Sequence, residues 1–177
     1  DPRLVELILQ ESTKVIRYRK GVLVVQNHHG VILANAGIDR SNLEQDKEQD
    51  WVLLLPKDSD LSAKKIHQEL FSKTGVHLGV IINDSIGRAW RNGTLGTAIG
   101  VAGIPSIIDL RGRKDLFGNP LRVSEEAIAD ELASAASLLQ GQADEALPVV
   151  LIRGFQKQTP SIPASGLIRP KETDLFQ

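Results

Sequence analysis

The stretch Val76-His77-Leu78-Gly79-Val80-Ile81-Ile82-Asn83-Asp84-Ser85-Ile86-Gly87-Arg88-Ala89-Trp90 decides how this chain folds. Residues 76–82 are apolar and read as a buried strand. A polar cluster, residues 83–90, follows directly. Residues 92–103 are then rich in Gly, Thr and Ala. They read either as a glycine-rich loop over phosphate or as a strand packed closely against another backbone. No Lys follows in the spacing of a phosphate-binding loop, which favours the strand. An earlier cluster, Asn35-Ala36-Gly37-Ile38-Asp39-Arg40-Ser41-Asn42, has the same arrangement after apolar residues 31–34. An Asp just past a buried strand points a hard oxygen ligand into the crevice there, and two such sites can share a divalent cation. Nearby Arg and amide groups suit phosphate oxygens. Phosphate chemistry is the leading expectation.

Composition narrows the field. At 177 residues the chain is one ordinary domain or two small ones. With 41% apolar and 24% charged residues it can build a core and does not read as disordered. A net charge of -1 gives no electrostatic case for nucleic acid or an anionic membrane. Without cysteine there are no disulfides, zinc–thiolate sites or thiol nucleophiles, and a cytoplasmic location fits. No apolar run reaches membrane-spanning length. There is no methionine, and the opening Asp1-Pro2 reads as that of a processed or truncated product.

Outward from the deciding stretch, the elements alternate irregularly, which predicts α+β with mixed or antiparallel sheets and packed helices. Asp1-Pro2 reads as an N-cap and first helical residue, with Leu4, Leu7, Ile8, Glu11 and Val15 carrying a helix to about Tyr18. Residues 22–25 and 31–34 read as a hairpin across 26–30, residues 41–50 as a polar loop and residues 51–55 as a strand. Asp58-Ser59-Asp60 caps a helix running to Gly75. Residues 107–110 read as a short strand. Ser124-Glu125-Glu126 reads as the cap of a long helix to Leu139, with Ile128, Leu132, Ala135 and Leu139 on one face, ended by Gly141. Residues 149–152 read as a strand and the tail from Thr159 as extended.

Each candidate residue has an ordinary reading beside the chemical one. Asp39 and Asp84 suit Asx-turns as well as a metal, and Ser85 beside Asp84 is a common way to hold Mg²⁺ or Mn²⁺ near phosphate. Arg88 and Arg91, flanking Trp90, suit phosphate, a substrate carboxylate or surface pairing. Asp109, Arg111 and Asp115 either orient an acceptor carboxylate or lock a turn. Gln142 lies just past a helix C-terminus, where cations are favoured and its side-chain carbonyl is a permissible hard ligand, although an ordinary cap explains it too. The four histidines have no coherent spacing for a metal.

Taken in order, these segments resemble the coenzyme F-420-0:γ-glutamyl ligase family. The carrying motifs are residues 2–9, 34–42, 84–91, 98–103, 109–112 and 167–170. The resemblance implies an enzyme that uses GTP and Mn²⁺ or Mg²⁺ to join L-glutamate to a carboxylate of a deazaflavin precursor through an acyl phosphate. Later rounds extend a γ-linked tail. It implies metal ligation by Asp39, Asp84, Ser85 and Gln142. It implies nucleotide contacts by Asn42 and by a segment from Gln140 to about Leu147, including Gly141, Ala143, Asp144 and Glu145. Arg88 and Arg111 are weaker substrate-binding candidates. A two-domain protomer and an interwoven homodimer are also implied. Ile86 stands where an aromatic is usual, and Leu139-Gln140 where Val-Met is usual, as packing changes. The family carries an N-terminal segment with a Lys and Ser/Thr cluster ahead of Asp1, so the chain reads as the larger C-terminal part, truncated at its start. A folate- or pterin-type acceptor, and a non-catalytic nucleotide-binding module, are the alternative readings.

Overall fold

The computed structural model describes residues 1–44, 50–156 and 160–175. The fold is α+β, as expected, and its described strands form three small antiparallel sheets. Among the described residues no helix is long and apolar enough to cross a membrane.

The central unit is a hairpin of β4 (Val80–Arg88) and β5 (Arg91–Ala102), turning at Ala89 and Trp90. The strand begins later than residue 76, and the polar cluster lies within it rather than past its end. Of the two readings of residues 92–103, the strand holds. Its glycines explain the composition: a Cβ on Gly96 would overlap the Ala133 carbonyl, and one on Gly100 the Ser59 carbonyl. Two helices therefore approach β5 to backbone contact. They are α2 (Ser59–Thr74) and α3 (Ile128–Gln140).

These helices also close the free edge of β5. Asp130 Oδ1 accepts the Ala98 N–H at 2.9 Å and Asp60 Oδ1 the Val101 N–H at 2.8 Å. Ser137 Oγ accepts the Gly96 N–H at 3.2 Å, while the Ser134 hydroxyl donates to the Gly96 carbonyl at 2.7 Å. Asp60 further accepts the Ala164 N–H at 2.7 Å and the Ser165 N–H at 3.2 Å, tying down the C-terminal segment. Ala98, Val101, Ala129, Ala133 and Ala164 form the core between hairpin and helices.

α1 (Pro2–Gln10) starts at the Asp1 cap as expected but stops well before Tyr18. Residues 12–19 are instead β1 (Ser12–Arg19), antiparallel to β2 (Val22–Asn27). The Ser12 hydroxyl donates to the Ile8 carbonyl at 2.7 Å, closing the helix, and the β-branched residues beyond favour the ladder. β3 (Ile32–Ala34) completes this sheet, and the expected turn before it is held by Asn27 Oδ1, which accepts the N–H groups of His29 and Val31, each at 3.0 Å. Leu33, Ile86 and Ile99 pack together and join this sheet to the hairpin, so Ile86 is a core residue.

Other expectations are corrected. α3 has Ala127, not Ser124, at its N-cap. Glu125 and Glu126 form β7, paired with β6 (Ile108–Asp109), which holds them extended. Leu139 is exposed, and the buried face of α3 is Ile128, Ala129 and Ala133. Residues 51–55 contribute only a single bridge, Leu53 with Asp39, and residues 149–152 form no strand. The tail beyond Pro160 makes short 3-10 turns. Residues 45–49 of the expected loop, and Thr159 of the tail, lie outside the described residues.

Replacing Gly96 by Ala drives a methyl group into the α3 backbone. The expected cost is about 1–3 kcal/mol, read as a lowered urea midpoint at constant slope. An unchanged midpoint would show that α3 is not seated against β5 as described.

Candidate nucleotide and metal site

A cleft of about 720 Å³ opens where the segment after β3, the hairpin and the end of α3 meet. Asp39, Asn42, Asp84, Ser85, Gln140, Gly141, Gln142, Ala143 and Asp144 all line it. Thus three segments far apart in sequence converge. Glu145 does not line the cleft, and its carboxylate accepts the Ala143 N–H at 2.9 Å. Arg88 lies at the far end of β4 and Arg111 beside β6, both outside the cleft.

Each acid is set by its local backbone. Asp39 follows a tight 3-10 turn, Asn35–Gly37, in which Asn35 and Ala36 take positive φ. Its main chain pairs with Leu53 in both directions, at 3.0 and 2.8 Å. Its carboxylate accepts the Ser41 N–H at 2.8 Å and the Ser41 hydroxyl at 2.7 Å. Burial acts to raise the Asp39 carboxyl, but the Ser41 N–H and hydroxyl and the Arg40 N–H outweigh it, and the group lies below its ordinary value. Asp84 goes the other way. Burial pushes it up, the Ser85 N–H opposes this, and the negative charge of Asp39 adds to the rise. Two carboxylates that repel each other across a cleft favour a cation between them.

The loop after α3 is tied to both acids' segments. Asn42 Nδ2 donates to the Ala143 carbonyl at 3.0 Å. Asn83 Nδ2 donates to Gln140 Oε1 at 2.8 Å and to the Ala133 carbonyl at 3.1 Å, and Gln140 Nε2 donates to the Pro148 carbonyl at 3.4 Å. Gln140 thereby spans the base of the loop. Asn83 Oδ1 is buried without a hydrogen-bond partner. Asn83 carries no distinguishing signal in the sequence, because an Asn beside an Asp after an apolar run fits a turn equally well.

Hard oxygen donors dominate the cleft: the carboxylates of Asp39, Asp84 and Asp144, the Ser85 hydroxyl and the Gln142 side-chain carbonyl. No set of three or more His, Cys, Asp or Glu among the described residues is placed to hold a metal ion. Two carboxylates suit Mg²⁺-like ions, which take one or two carboxylates together with substrate phosphates.

The model of the F420-0:Gamma-glutamyl ligase family matches residues 1–154. The chain belongs to that family. It is 45% identical over 177 residues to the coenzyme F420:L-glutamate ligase of Methanocaldococcus jannaschii, covering all of this chain and 69% of that relative. The corresponding ligase of Methanothermobacter thermautotrophicus is 45% identical over 181 residues, again with 69% of its length covered. That of Methanopyrus kandleri is 39% identical, with 70% covered.

Two outcomes test this geometry. Asn83→Ala removes the amide that donates to Gln140 at the base of the loop and to the Ala133 carbonyl, so amide exchange in residues 141–147 is expected to quicken roughly tenfold. Unchanged exchange there would sink the tie. At the other candidate, the Arg111 side chain and N–H beside Asp109 hold its carboxyl at about 2. A depressed carboxyl contributes stability above its ordinary value of 3.8, lost as pH falls toward 2. A carbon-13 titration of Asp109 should show that low midpoint, and Arg111→Ala should return it to the ordinary carboxylate range.

Proposed function

We propose that this protein joins L-glutamate to a carboxylate of the F420 precursor, using GTP and a divalent cation in the cleft between Asp39, Asp84 and the loop after α3. The observation that carries the reading is the convergence of Asp39 and Asp84 with that loop in one cleft. Relatives over the whole chain are named coenzyme F420:L-glutamate ligases, which supports glutamate as the amine donor.

The donor set fits Mn²⁺ or Mg²⁺. Asp39 and Asp84 supply the anionic oxygens, and Ser85 and Gln142 the neutral ones. When bound, such a cation neutralises charge on a transferring phosphoryl group. The loop from Gln140 to Asp144, held by Asn42 and Asn83, forms the wall against which the nucleotide rests. Phosphoryl transfer from GTP to the acceptor carboxylate gives an acyl phosphate and GDP. The glutamate amine then attacks the acyl carbon: a C–N bond forms, the C–O bond to phosphate breaks, the nitrogen loses a proton and phosphate departs.

The test uses the full-length gene product with GTP, Mn²⁺, labelled L-glutamate and either the deazaflavin precursor or a reduced folate. Product mass on the deazaflavin should rise by one or more glutamyl units. Glutamate only on the folate would refute the acceptor. Asp84→Asn should lower turnover at least roughly a hundredfold. Without metal the variant should melt at or above the wild-type temperature, because the neutral form is the one burial favours. It should also lose stabilisation by Mn²⁺ with GTP. Wild-type turnover in that variant would remove Asp84 from the site.

A further inference from the structure

A second cleft, of about 600 Å³, runs along the free edge of β5 and is lined by Thr97, Lys57, Asp58, Asp60, Asp130 and His29 among others. Thr97 pairs directly with Asp84 across the hairpin. Residues opposed in this way project from the same face with Cβ atoms about 5 Å apart. The second cleft therefore adjoins the first at the Asp84–Thr97 pair.

The polar groups of this wall divide into two kinds. Asp60 uses both oxygens on the backbone of Val101, Ala164 and Ser165, and Asp58 Oδ1 accepts the Leu61 N–H at 2.7 Å as the cap of α2. His29 Nε2 donates to the Pro56 carbonyl at 2.9 Å. These groups hold the fold. Asp130 is half-buried and accepts one hydrogen bond, from the Ala98 N–H at 2.9 Å. Among the described residues its other oxygen has no donor and it has no ion-pair partner. Burial pushes its carboxyl up, against the pull of the Ala98 N–H, as expected for an acid short of positive charge. Lys57 faces the same cleft, and no ion pair joins it to Asp130. An acid and a base that share a cleft without meeting suit a ligand that carries both charges.

We propose that this cleft is the seat of the free amino acid, L-glutamate, with its ammonium on Asp130 and a carboxylate on Lys57. The inference rests on the ligase reading above. It would set the amine donor beside the proposed phosphoryl site.

The alternative is that Asp130 serves only to close the β5 edge. Asp130→Asn separates the two, because the amide oxygen still accepts the Ala98 N–H while the charge is gone. In the full-length enzyme with GTP and Mn²⁺, this variant should raise the KM for L-glutamate roughly tenfold or more and leave the KM for GTP unchanged. Glutarate, which lacks the ammonium, should inhibit the variant and the wild type equally. Lys57→Met should weaken both glutamate and glutarate, and it carries the test alone if Asp130→Asn does not fold. An unchanged glutamate KM in both variants overturns the subsite. A parallel rise in the KM for GTP also overturns it, as the mark of a structural defect. Absence of any transfer by the wild type instead overturns the ligase reading, and this inference with it.

Discussion

Side chains, not another strand, close the outer edge of β5. Unpaired N–H groups on an edge strand are costly when covered and invite foreign strands when bare. Here Asp130, Asp60 and Ser137 accept from them, and Ser134 donates to the Gly96 carbonyl, all from two helices. That arrangement works only because Gly96 and Gly100 let helix backbone come down onto the strand. It fixes α3 against the hairpin, and so fixes where the loop after α3 emerges relative to Asp84. The same bonds through Asp60 hold the C-terminal turn at Ala164.

The cleft follows from that placement. Asp84 is carried by a rigid strand, Asp39 by a tight turn braced against Leu53, and the loop by the end of α3. Asn83 and Asn42 then tie the loop to the two acidic segments. The opposite shifts of the two carboxyls follow from their different surroundings. Asp39 is exposed and well supplied with donors, whereas Asp84 is half-buried with one N–H and a negative neighbour. A divalent cation between them would relieve the repulsion that Asp39 exerts on Asp84, in keeping with the proposed chemistry.

Much of this was legible in the residues, for definite reasons. Asp58 and Gly75 mark the ends of α2 because an oxygen-bearing cap and a left-handed stop are local requirements. The glycine-rich stretch was readable as a strand because close backbone approach leaves the same signature everywhere. Residues 12–19 look helical because Val15 continues a helical spacing, which strand pairing with residues 22–27 overrides. Glu125 and Glu126 look like a first helical turn, but the pairing with β6 holds them extended. Polar residues beside apolar runs pointed to Asp39 and Asp84, and a helix end pointed to Gln142. Their meeting in one cleft, and the role of Asn83 beneath it, depend on contacts between distant segments and leave no local pattern.

In the proposed function, Asp39 and Asp84 share a divalent cation beside a nucleotide. Anomalous diffraction at the manganese absorption edge, from crystals of the full-length protein grown with GTP and Mn²⁺, tests it most directly. A manganese peak is expected within about 2–2.5 Å of carboxylate oxygens of both Asp39 and Asp84. A nucleotide bound with its manganese away from both residues would contradict it.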